Sequence, residues 1–113
     1  MTIEGLWTID FFSKHGAGAG VIVFETGRVF GGDSSMFYIG DYEIKNGAVS
    51  GRIRVRVHHR IPGLTSIAGA DDFEVEYSAQ LSDATTQLTG KVIDASANGR
   101  IIHGSMRKLA ELP

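Results

Sequence analysis

The chain has 113 residues, 42% of them hydrophobic and 21% charged, with a formal net charge of −2 and no cysteine. That length bounds it to one domain over residues 1–113, with a real but modest core. The charge gives no reason to expect direct nucleic-acid binding, and the absence of cysteine excludes disulfides, thiol nucleophiles and cysteine-ligated zinc.

The opening MTIEGLWTID has no basic segment leading into an apolar stretch, so no secretion signal is expected. No run approaches the ~18 apolar residues of a membrane helix. The expected location is the cytoplasm, with no membrane contact.

Ile3 to Phe12 reads as the first strand, with Trp7, Ile9 and Phe11 on one face and Leu6, Thr8, Asp10 and Phe12 on the other. Turn residues follow, and Ala17 to Glu25 forms a second strand. It opens with Gly16, Gly18 and Gly20 on one face, where an aromatic such as Trp7 is expected to lie over the gap. A phosphate-cradling loop fails on spacing, because Val21 stands where a dinucleotide fingerprint needs its third glycine. Thr26-Gly27 turns the chain into Arg28 to Phe30, and Gly31, Gly32, Asp33 and Ser34 make a structural turn in which Asp and Ser bond their own backbone.

Met36 to Ile44 is the next strand, and neither face is polar. Asn46-Gly47 is the strongest hairpin signal, because a type I′ turn needs positive φ at both central residues. It leads into Gly47 to His58, where Ile53, Val55 and Val57 alternate with Arg52, Arg54 and Arg56. Arg60 to Asp71 is a long connection with Ile61, Leu64 and Ile67, expected to fold back over an end of the sheet as a plug. Asp72 to Leu81, Thr85 to Asp94 and Gly99 to Lys108 complete about eight strands at near-regular spacing. Short turns favour an up-and-down antiparallel order. The expected fold is all-β, an eight-stranded antiparallel up-and-down β-barrel.

The row Arg52, Arg54, Arg56, His58 and Arg60 reads as the wet face of a half-buried strand, with Glu74 and Glu76 placed to pair across it. His58 and His59 are adjacent, point to opposite faces and cannot chelate one ion together. No metal site and no cofactor are expected. Met36, Tyr38 and Tyr42 share a face of a strand that lacks a polar side, which marks a dimer or partner surface. Trp7, Phe11 and Phe73 mark an interior pocket for a small apolar ligand, if the barrel is hollow.

The run G-L-W-T-I-D-F-F-S, then G-A-G-V-I-V-F, G-R-V-F-G-G-D-S and Y-I-G-D-Y resembles the GrlR-like family of small regulators, and the likeness runs loosely to Lys-Leu-Ala-Glu-Leu. The resemblance implies a lipocalin-like eight-stranded barrel, a homodimer and a non-enzymatic role in transcription regulation. Its namesake sequesters a transcriptional activator of type III secretion genes through an exposed acidic run. The corresponding stretch here, Asp41 to Gly47, holds only Asp41 and Glu43 as acids, with Lys45 between them and the turn. The activator-binding residues therefore do not carry over.

Two function classes follow. The first is a regulatory protein-interaction module, homodimeric and holding a protein partner such as a transcription factor. The second is a carrier or sensor that takes a small apolar ligand into the barrel. No constellation of residues supports assigning an enzymatic reaction.

Overall fold

A computed structural model describes residues 3–13, 16–63, 72–81, 87–94 and 101–113. The described residues form an all-β, antiparallel sheet with no helix, and no helix is long and apolar enough to cross a membrane. The strands are β1 (Gly5–Ser13), β2 (Gly16–Glu25), β3 (Arg28–Gly32), β4 (Met36–Asp41), β5 (Glu43–Lys45), β6 (Ala48–Val57), β7 (Asp72–Leu81), β8 (Gln87–Asp94) and β9 (Ile101–Ala110). Neighbours run in the order β4-β3-β2-β1-β9-β8-β7-β6-β5, and β4 also pairs with β6. The sheet therefore curls at least as far as a half-barrel.

Two glycine turns set the register. Thr26 and Gly27 have φ of 50° and 78°, and Asn46 and Gly47 have 53° and 77°, the positive-φ pairs of two-residue hairpins. Around them the ladder is regular, with Val23 opposite Phe30 and Phe24 opposite Val29, and Lys45 opposite Ala48. Because side chains alternate, one parity of each strand turns inward. Trp7, Ile22, Phe24, Val29, Val49, Val55, Phe73, Val75, Tyr77, Ile102 and Met106 are buried together as the core.

The strand expected over Met36 to Ile44 is interrupted at Tyr42. There the Tyr42 N–H donates to Gly27 O at 3.0 Å, one residue beyond the β3–β4 pairing and in the same register, while the pairing with β6 lapses over Asp41 and Tyr42 and resumes at Glu43. The Asp41 side chain compensates by accepting from the Arg52 N–H at 3.2 Å. Tyr42 instead packs its ring edge-on against Phe24, centroids 5.1 Å apart.

Trp7 does not cover the glycine gap. It stands opposite Ile22, four residues further along β2, and Phe11 is the residue opposite Gly18. A Cβ on Gly18 would lie 2.6 Å from the Phe11 ring, and one on Gly20 would lie 2.8 Å from the Tyr38 hydroxyl. Bare backbone at these two positions leaves room for Phe11 and Tyr38. The plug expected over Arg60 to Asp71 falls mostly on residues 64–71, which lie outside the described residues.

Candidate interaction surface

Met36 and Tyr38 face inward, only 6% and 7% exposed, and belong to the core. A partner surface through them is therefore corrected. Their inward orientation follows from register: Met36 stands opposite Val57 and Tyr38 opposite Val55, both inward positions of β6. Tyr42 is half-buried against the same core. Trp7 and Phe73 are buried in the core and Phe11 is partly buried against that core, so these three side chains lie on the inner face.

The other face of β4 is the one left open. Phe37 is 37% exposed and Ile39 56%, and Phe30 on β3 and Val21 on β2 are 40% and 46% exposed. These are not scattered. Val23, Phe30 and Ile39 occupy one row across β2, β3 and β4, and Val21, Gly32 and Phe37 occupy the next. Two adjacent rows on three adjacent strands give one contiguous apolar patch. Contiguous apolar surface of a few hundred Å² on a small protein marks a partner site.

Charge borders the patch along β6. Ile39 stands opposite Arg54 and Phe37 opposite Arg56, and one strand further out Arg54 faces Glu74 and Arg56 faces Asp72. Arg54 grips both carboxylate oxygens of Asp72, Nε to Oδ1 at 2.9 Å and Nη2 to Oδ2 at 3.0 Å. Arg56 shares the same carboxylate at 3.5 Å, and Arg52 reaches Glu76 at 2.9 Å and Glu74 at 3.7 Å. The hydrogen bond from Arg54, reinforced by its charge and that of Arg56, holds the Asp72 carboxyl below the usual carboxylate range. The arginine row is thus a cross-strand ion-pair ladder.

The corner before β4 is fixed by Asp33. Its Oδ1 accepts from the N–H groups of Ser35 and Met36 at 2.9 and 2.7 Å, and Oδ2 accepts from the Tyr38 hydroxyl. His58 Nε2 lies 2.9 Å from Asp33 O, and Ser35 O accepts from the N–H groups of His58 and His59. Ser34 is exposed within this turn. Gly31 has no room for a side chain, because a Cβ there would run into the β2 backbone at Val21 and Ile22. Gly32 sits in the outward row between Val21 and Phe37 and leaves a shallow place in the apolar patch. Burial, then the hydrogen bond to Asp33, pushes the Tyr38 phenol well above its ordinary value.

The inner face offers little polar chemistry. The Trp7 indole N–H donates to Ile3 O at 2.8 Å, and the Tyr77 hydroxyl donates to Asp41 O at 2.9 Å. Together with Tyr38 these buried aromatic tips are engaged by protein atoms, and Lys108, which stands opposite Trp7 with its side chain 11% exposed, pairs with Glu111 at 2.9 Å. Among the described residues no cluster of His, Asp or Glu is arranged to hold a metal ion. His103 lies on the outside, stacked on Phe12 with ring centroids 5.1 Å apart, and Asp10 is exposed.

Phe37 and Ile39 are legible in the sequence as the second apolar face of their strand, whereas Val21 and Phe30 of this patch are not singled out there. Their signal was present as the second apolar parity of strands whose first parity was equally apolar. No protein-family model matches the chain, and no curated protein matches it.

Proposed function

We propose that this chain is a non-enzymatic protein-interaction module that works as a homodimer in the cytoplasm and holds a protein partner. The carrying observation is the outward patch of Val21, Phe30, Phe37 and Ile39 on three adjacent strands. Solvating such a patch costs free energy that an interface recovers, at about 25 cal/mol per Å² of apolar surface removed from water. The β4–β6 pairing supports a closed eight-stranded up-and-down barrel of lipocalin-like form, in which β4 and β5 count as one interrupted strand. The resemblance to the GrlR-like family adds the expectation that the partner is a transcription factor.

Sedimentation of the pure protein tests the reading. A dimer is expected at micromolar concentration, and a monomer at tens of micromolar would end the homodimer part. Affinity capture from native cytoplasm is expected to retain a DNA-binding protein, and retention of no protein would count against the regulatory part.

A carrier for a small apolar ligand is the second reading, favoured by the apolar residues, Trp7 and Phe73 among them, that are buried together on the inner face. With the Trp7, Tyr38 and Tyr77 polar tips engaged and Lys108 paired with Glu111, such a ligand would be held chiefly by its hydrocarbon surface. Trp7 is the sole tryptophan, so its fluorescence reports occupancy directly. No change across a panel of fatty acids would remove this reading.

A further inference from the structure

We infer that the occupant of the outer face of β2, β3 and β4 is a second copy of this chain, related by a two-fold axis parallel to β3. This rests on the homodimer reading and adds the face and the orientation.

The basis is the symmetry of the patch and its borders. Phe30 on β3 lies at its centre, between Val23 on β2 and Ile39 on β4. Beyond β2 lies β1, and beyond β4 lies β6, so β1 and β6 each stand two strands from β3, roughly 10 Å to either side. A two-fold axis parallel to β3 lays the β2 of one copy over the β4 of the other. Val21 and Val23 then meet Phe37 and Ile39, and Phe30 meets its own counterpart. Self-complementarity of this kind is what an isologous interface requires.

The same operation brings β6 over β1. The patch is bordered on β6 by Arg54 and Arg56. On β1 its border is Leu6 and Thr8, opposite Val23 and Val21, with the exposed carboxylate of Asp10 next along the same face. The cationic border of each copy thus approaches the border of the other that carries an acid. An in-plane axis perpendicular to the strands would instead set the β6 arginines of the two copies against each other, which like charges oppose. Arg56 is the arginine free to reach, since Arg54 holds Asp72 at 2.9 Å and Arg56 only shares it at 3.5 Å.

Sedimentation equilibrium on full-length variants, each checked by circular dichroism for a native-like fold, tests this. Ile39→Lys and Phe37→Lys change exposed side chains and are expected to weaken the dimer by roughly 100-fold or more. Ile44→Lys, an exposed apolar residue on β5 outside the patch, is expected to leave it intact. Asp10→Arg and Arg56→Asp are each expected to weaken it by about 10-fold, and the double variant to recover most of that loss. A native protein that is monomeric overturns the homodimer reading itself. A dimer indifferent to Ile39→Lys and Phe37→Lys leaves that reading standing and overturns this face. A dimer sensitive at those positions with no recovery in the Asp10→Arg, Arg56→Asp double variant overturns the orientation.

Discussion

Gly20 carries a steric demand that can be read in a single substitution. A Cβ there would lie 2.8 Å from the Tyr38 hydroxyl and 2.9 Å from Gly32 O. Gly20→Ala must therefore push Tyr38 off Asp33 or spread β2 from β3, and a loss of about 1–3 kcal/mol is expected by urea unfolding. Thr26 shows the opposite case. It is β-branched at φ 50°, a conformation such residues resist, while its N–H is held by Glu4 Oε2 at 2.9 Å. Thr26→Asn keeps that N–H and relieves the strain, so a gain of roughly 0.5 kcal/mol is expected in the same measurement. Tyr38 and Tyr77 both have phenol pKa values raised, chiefly by burial. Their stabilising share is complete below the unfolded phenol value near 10 and is lost as pH rises past it. Thermal melts across the alkaline range should show the midpoint falling above about pH 10, and Tyr77→Phe should flatten that fall.

The β6–β7 ladder shows how far strand periodicity carries at the level of elements. Strict alternation in Arg52 to Val57 and in Asp72 to Leu81 placed the arginines and acids on one face, and the register sets Arg52 opposite Glu76 and Arg54 opposite Glu74. Which carboxylate each arginine grips was not legible, because Arg54 reaches diagonally to Asp72. Asp72 has its carboxyl pKa lowered, so the contribution of this pair is present above the unfolded carboxyl value of about 3.9 and is lost as pH falls through the folded value. Asp72→Asn should therefore flatten the acid limb of a stability–pH profile, and added salt should shrink the difference because the pair is exposed.

β4 marks where periodicity stops deciding. Met36 and Tyr38 alternate with Phe37 and Ile39, both sets apolar, so period two yields the faces without saying which is inside. Long-range pairing with Val55 and Val57 decides it, and a one-residue shift exchanges the two sets. Met36 and Tyr38 were therefore expected on the outside and lie within. The interruption at Tyr42 was hidden for a related reason: it lies on the β6 side, where the Arg52 N–H goes to the side chain of Asp41, eleven residues away. Phe11 over Gly18, in place of Trp7, is likewise a matter of hairpin register.

At the scale of the molecule, the chain has inner and outer apolar faces on the same three strands, and only the inner one is buried by its own core. If it associates through the outer face, its apparent melting temperature should rise with protein concentration by mass action. Differential scanning calorimetry over a hundredfold concentration range is expected to show that rise for the native chain and little of it for Ile39→Lys.

The bonding of β4 to β3 on one side and to β6 on the other has a consequence for how recognition can change over time. The peptide groups of that strand are already committed, so a newcomer cannot be captured there by extending the ladder and must be chosen by what projects from it. Such a surface is rewritten by point substitution at Phe37 and Ile39 without disturbing Met36 or Tyr38 behind them. If that face is a binding surface, divergent descendants of this chain can exchange companions while keeping one scaffold, and the record of that exchange would lie in the odd-numbered positions of a single strand.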